Sequence, residues 1–240
     1  PMSSTLPTSR LHTFIDSAHD QAVHFLEGQK LVENLALARA YPPETLSWLR
    51  TAVLSVLPMI SFLKRDEELG FYIDAADPKF LVKIETRFDG TIRAMHAGSV
   101  PPGTPATSRV RGVCRVVKFS PGEATPYSSI VDFTRATIDE IVNDTLRRSF
   151  QFSSRVVIAR ESDQSLMLSR LPALDASRHE SRKDPGQANR RGLEPDEYFS
   201  ARIADFSGII ERGLTGEDEI IAAFAALGLK HLASREVVFR

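Results

Sequence analysis

"YSSIVDFTRATIDEIVNDTLRRSFQFSSRVVIAR" (Tyr127–Arg160) changes its period twice within 34 residues. YSSIVDF has the β-branched and aromatic content of a strand. Over TRATIDEIVNDTLRRS, Ile138, Ile141, Val142, Thr145 and Leu146 fall on one helical face. Asp139 and Glu140 lie near the start of that segment and Arg147 and Arg148 at its end, the favourable order for the helix dipole. SRVVIAR returns to strand, and SLMLSRL follows it after a short polar turn. An amphipathic helix set between strands that turn back on one another predicts an α+β fold with antiparallel sheet.

Working towards the N-terminus, ELGFYID, FLVKIET, GTIRAMHAG and RVRGVCRVVKFS read as strands. The Asp89-Gly90 pair marks a hairpin between two of them. Four or five antiparallel strands account for this block. Before it, Leu46, Leu49, Val53, Leu57 and Ile60 belong to a helix that is apolar nearly all round, so it is expected at the centre of the core, kinked at Pro58. A shorter helix precedes it and ends at Pro42. Residues 11–26 read as one extended segment. The expected main domain is residues 9–173, an antiparallel sheet packed by two long helices near 44–64 and 135–149.

Towards the C-terminus the character changes. DASRHESRKDPGQANRRGLEPD carries many charges and no aromatic or β-branched residue, so 174–194 is expected to be a flexible polar linker. Two short amphipathic helices follow within 195–240. The first carries Phe199, Ile203, Phe206 and Ile210. The second carries Ile220, Ile221, Phe224 and Leu227, and opens at Thr215 with Asp218 as its capping-box partner. Such helices are marginal alone, so their apolar faces must dock on the main domain, a second subunit or another protein. The region ends in a strand-like REVVFR.

Composition narrows the function. Thirty basic and 31 acidic residues give a net charge of −1, so no basic field advertises nucleic acid, although RRSFQFSSR mixes basic and aromatic residues. The longest apolar run is broken by Arg50 and Pro58 and does not read as a membrane span. PMSSTLPTSR lacks the apolar run of a signal peptide, and Pro1 before Met2 reads as the remnant of a cleaved tag. No nucleophile elbow, phosphate loop or dinucleotide fingerprint is present, so no enzyme is expected. Asp66-Glu67-Glu68 reads as a solvated turn rather than an acid/base pair. The single cysteine, Cys114, lies in a strand beside Arg111 and Arg115, and reads as a small core hydrophobe rather than a sensitised thiolate. The six histidines show no HExxH or HxxxH spacing. A strand's alternation separates His19 from His12 and His24, so no metal site is expected.

Taken together, the stretch Tyr127–Arg160, SLMLSRLPA, LRTAVLSVLPMISFLK, TIRAMHAG and SRVRGVCRVVKF resemble the heat-shock protein 33 family, redox-regulated bacterial chaperones. The post-linker helices and the strand-like ending match in place and kind. Two departures stand out: the family's Gly-rich turn is here DAADPKF, with Pro78 kept. The family also continues into a Cys-x-Cys and Cys-x-x-Cys module that binds zinc when reduced, and none of those four cysteines is present.

The resemblance implies an ATP-independent holdase that binds unfolding proteins through apolar surface, with the redox switch truncated or lost and activity indifferent to redox state. The candidate client-binding residues are Phe199, Ile203, Phe206, Ile210, Ile220 and Phe224. No cofactor is expected in this chain, zinc belonging only to the missing module. Unfolded or unfolding clients are the expected partners, with a homodimer as an alternative and neither nucleic acid nor membrane. The expected setting is cytoplasmic, or an organelle such as the mitochondrion in a eukaryote. The alternative readings are a non-chaperone interaction or homodimerising module and, behind it, an enzyme with a dispersed site, which a pocket of perturbed carboxylates around Asp66–Asp77 would favour.

Overall fold

A hairpin replaces the single extended segment expected near the N-terminus: β1 (Arg10–Asp16) turns back into β2 (Gln21–Glu27). The turn lacks the usual Gly or Pro signal. Asp16 builds it instead, accepting from the Ala18 N–H at 3.1 Å, while Asp20 takes a positive φ of 54°. The structure, a computed structural model, describes residues 6–150, 153–171 and 193–240. Of the linker read at 174–194, all but Leu193 and Glu194 lies outside the described residues.

After α1 (Gln29–Ala38), α2 (Pro43–Val56) begins with Pro43 in its first turn and passes directly into a 3-10 helix over Leu57–Phe62. The change of helix type at Leu57, just before Pro58, is the form the expected kink takes. Trp48, Leu49, Ala52, Val53, Leu54 and Val56 are buried around α2, as an all-round apolar helix requires. By composition Pro43–Phe62 is apolar enough to cross a membrane, but two-thirds of it is buried inside the protein.

The next strands are β3 (Glu68–Asp77), β4 (Lys79–Arg87), β5 (Thr91–Gly98), β6 (Val110–Phe119) and β7 (Tyr127–Ala136). Their register sets apolar side chains in rows. Phe71 lies opposite Ile84 and Val116, Ile73 opposite Val82 and Cys114, and Cys114 opposite Val131. Gly90 closes the β4–β5 turn at a φ of 87°, and a Cβ there would meet the Glu236 carbonyl at 1.9 Å. Glu67 corrects the reading of its segment as a solvated turn. It is buried, and accepts from the Lys64 N–H at 2.8 Å and the Ser120 hydroxyl at 3.1 Å, with Lys118 Nζ at 3.0 Å. Burial alone would raise its pKa, but these donors hold the carboxyl below its usual range.

The amphipathic segment becomes α3 (Ile138–Phe150), with all five expected face residues buried. Residues 134–136 extend β7 instead. Thr137 starts the helix through a reciprocal box with Glu140: the Thr137 N–H donates to Glu140 at 3.0 Å and the Glu140 N–H to the Thr137 hydroxyl at 3.4 Å. β8 (Ser154–Ile158) and β9 (Gln164–Arg170) follow.

The C-terminal region holds three helices rather than two: α4 (Pro195–Ala201), α5 (Ile203–Glu211) and α6 (Glu217–Ala226), with a break at Arg202. The expected capping box at Thr215 does not form, since α6 is preceded by Gly216 with no side-chain cap. A box forms instead at Glu194 and Glu197, at the start of α4. β10 (Lys230–Glu236) then joins β1, and β11 (Val238–Phe239) runs parallel to β5.

The result, among the described residues, is α+β with two sheets. The first has the order β10-β1-β2-β9-β8 and is antiparallel throughout. The second has the order β11-β5-β4-β3-β6-β7 and is antiparallel except at β11. α2 and the 3-10 helix touch strands of both, and one large core joins them.

Candidate functional site

Only one face of the first sheet belongs to that core, through residues such as Leu11, Leu26 and Met167. Alternation turns Phe14, Val23, Phe25, Leu166 and Leu168 to the other face. The register makes them neighbours: Phe14 pairs with Val23, Val23 with Leu168, and Phe25 with Leu166. This apolar platform is covered by α4–α6 to form a second apolar cluster, distinct from the main core. Phe224 stacks on Phe14 with ring centroids 4.2 Å apart and meets Phe25 edge-on at 5.3 Å.

The structure brings four of the six sequence-chosen residues, Phe206, Ile210, Ile220 and Phe224, into this interface, all buried. Phe199 lies half-buried at its edge, against Phe206 and under the Arg155 guanidinium. Ile203 is 54% exposed and stands outside it. Sequence reasoning missed Tyr198 and Ile209, both buried there. A single continuous helix would have put 199, 203, 206 and 210 on one stripe, but the break at Arg202 changes the phase and turns Tyr198 inward.

Polar groups fasten the rim of this layer. Asp16, at the end of β1, accepts from the Tyr198 hydroxyl at 2.6 Å and from Arg202 Nη1 at 3.3 Å, with His19 Nδ1 at 2.8 Å. Burial alone would raise the Asp16 pKa, but the Tyr198 hydroxyl and His19 hold the carboxyl below its ordinary value. Burial and Asp16 together raise that of Tyr198. Arg202 also donates to the Leu227 carbonyl at 2.8 Å, tying α6 to the same latch. Elsewhere Gln21 donates to the Leu193 carbonyl at 2.5 Å, Glu27 accepts from the Gly216 N–H at 2.9 Å, and Arg170 pairs with Glu194 at 2.8 Å. Exposed pairs of the last kind contribute little each, about 0–1 kcal/mol, so the buried Asp16–Tyr198–Arg202 group is the stronger fastening. Gly228, at a φ of 83°, ends α6 and turns the chain into β10. The helical layer is thus a flap held at both ends, between β9 and β10.

On the opposite face of the first sheet, Leu11, Ile15, His24, Phe62, Leu171 and Leu232 line an open groove of about 720 Å³. Burial pushes the His24 imidazole down to about 4. Neutral at pH 7, it has one donor and one acceptor nitrogen to share with Thr13, at 3.1 Å, and Ser169, at 3.3 Å. Cys114 lies fully buried in β6, and burial pushes its thiol up to about 12. It is the chain's one cysteine, so cysteine ligation of zinc finds no cluster of residues here.

The strand platform and the helical layer fastened over it thus form an apolar interface separate from the main core. The chain belongs to the Hsp33 protein family, whose model matches residues 9–240. Hsp33 is a chaperone family, and binding of client proteins follows from membership. In three dimensions the chain is similar to the 33 kDa chaperonin (heat shock protein 33 homolog) of Thermotoga maritima. The two share 14% sequence identity and superpose with a TM-score of 0.63 over 97% of this chain and 80% of that one, a likeness of fold. No curated protein matches the chain.

Proposed function

We propose that this chain is an ATP-independent holdase. Its client surface is the interface between the α4–α6 layer and the Phe14–Val23–Phe25–Leu166–Leu168 platform, made available when the layer lifts. The observation that carries this reading is the separation of the two apolar clusters. The layer can leave without opening the core between the two sheets, because its contacts belong to a cluster of their own. Lifting exposes both halves of an aromatic-rich surface at once, and burial of client apolar groups supplies the binding free energy. The candidate residues Phe206, Ile210, Ile220 and Phe224 form the helical half, with Phe199 at its margin. Ile203 contributes only from outside the closed interface.

The reading extends to regulation. A thiol pushed up to about 12 inside a sheet is neither a ready thiolate nor accessible to oxidant. Activity of this chain is therefore proposed to be indifferent to peroxide. The test is light scattering by a chemically unfolded client diluted into buffer without nucleotide, with and without peroxide. Equal suppression in both conditions is expected. Absence of suppression at several-fold excess sinks the holdase reading, and suppression that requires peroxide sinks the regulatory one.

A further inference from the structure

A second site lies where the helical layer meets the edge of the first sheet. His12 on β1, Glu217 in the first turn of α6 and His231 on β10 each offer a ligand atom within 4.8 Å of the others. The Ser234 hydroxyl sits among them, 2.9 Å from His12 Nδ1 and 2.9 Å from His231 Nε2. The same hydroxyl bonds the Glu217 carboxyl. One hydroxyl proton is shared among three groups that can each accept it.

Two features show that this gathering is built. The first is a β-bulge. β1 and β10 pair His12 with Ser234 and Thr13 with Ala233, but Phe14 with His231, so the register slips by one residue. Without the slip Leu232 would oppose Phe14. With it, His231 joins the face of His12 and Ser234, and Leu232 is left 62% exposed. The second is a buried carboxylate behind His12. Glu27 Oε2 lies 3.5 Å from His12 Nε2, with the side chains 2% and 0% exposed, and neither atom has a hydrogen-bond partner among the described residues. A carboxylate facing one imidazole nitrogen fixes the tautomer and presents the other nitrogen's lone pair, the arrangement found behind metal-ligating histidines.

We propose that His12, His231 and Glu217 form a divalent transition-metal site of the kind that takes zinc, with Glu27 orienting His12. Two imidazoles and a carboxylate suit zinc, with the fourth position left to water or to the Ser234 hydroxyl. Ligand atoms around tetrahedral zinc stand about 3.4 Å apart, so the three must close by at most about 1.4 Å, within reach of side-chain adjustment. Arg10 occupies Glu217 Oε2 at 2.6 Å, and a carboxylate has a second oxygen to give. With neutral imidazoles, Glu27 and Glu217 outweigh Arg10 by one negative charge. Because the ligands come from β1, α6 and β10, a bound ion pins the helical layer to the sheet. That consequence rests on the client-binding reading, whereas metal binding does not.

The test is titration of chelator-treated full chain with Co²⁺, read by visible absorbance, and with Zn²⁺, read by calorimetry. One equivalent is expected, with affinity reduced about 100-fold or more in His231→Ala and in Glu217→Gln. Both side chains are partly exposed, so these variants should keep the fold, checked by circular dichroism. No binding by the parent chain overturns the proposal, as does binding that neither substitution weakens. If binding is confirmed but zinc leaves client suppression unchanged, the site stands and its link to the flap falls.

Discussion

Asp16→Ala is expected to free the α4–α6 layer and raise client suppression several-fold over the parent chain at equal concentration. The carboxylate is the common acceptor for Tyr198, Arg202 and His19, and its side chain is 7% exposed. Removing it leaves the buried Tyr198 hydroxyl without its acceptor and takes one carboxylate from Arg202, which keeps Asp205 and the Leu227 carbonyl, a loss of about 1–3 kcal/mol. The helices it fastens are 7, 9 and 10 residues long, too short to keep their place without docking. Asp16 also supports the β1–β2 turn through the Ala18 N–H, so Tyr198→Phe is the companion variant, removing one hydroxyl and leaving the turn intact. It should shift suppression in the same direction by a smaller factor. Hydrogen exchange of residues 195–227 reports release. Release without a gain in suppression would show that the covered face does not bind clients.

The double variant Phe206→Asp, Phe224→Asp is expected to protect clients several-fold less well than Asp16→Ala, although its helical layer is equally free. Both phenylalanines are fully buried, and Phe224 stacks on Phe14 and meets Phe25 edge-on. A carboxylate at either position must be desolvated or leave, at a cost of several kcal/mol, so the layer lifts. The second sheet, with Phe71, Ile73, Val82, Ile84 and Val116 in the main core, keeps the chain folded. What differs from Asp16→Ala is that the lifted helices now carry charge where they would meet a client. Unchanged protection in a folded double variant would remove the helical half from the client surface and leave only the strand platform.

The sequence showed most clearly what local pattern controls. The face of α3 and the all-round apolar α2 follow from spacing within a few turns, and the strands of the second sheet from composition and turn residues. The family was legible from Tyr127–Arg160 and its neighbours. What escaped was set by distant partners. Glu67 looked solvated because Lys118 and Ser120, its partners, lie some 50 residues away. Tyr198 facing Asp16, beside the Arg202 break, is a contact spanning 182 residues. Alternation along a single strand set His19 apart and left His12 and His24 on one side, which the β1–β2 hairpin undoes. His12 and His24 face opposite sides of the first sheet, while His12 meets His231 across a strand pairing whose bulge no periodicity reveals. The Thr137–Glu140 box, by contrast, was present in the sequence as a Thr-x-x-Glu signal ahead of an apolar run.

The central claim is that clients bind the surface between the helical layer and the strand platform. Photo-crosslinking tests it most directly, with a benzoyl-phenylalanine placed in turn at Phe14, Phe224 and Phe119 and the chain irradiated alone and with a chemically unfolded client. Phe14 and Phe224 are buried in the interface, whereas Phe119 is 48% exposed on the second sheet. The account predicts crosslinks within the chain from Phe14 and Phe224 when it is alone, client adducts from both when client is added, and few adducts from Phe119. Client adducts confined to Phe119, with Phe14 and Phe224 still joined only to their own chain, would contradict it.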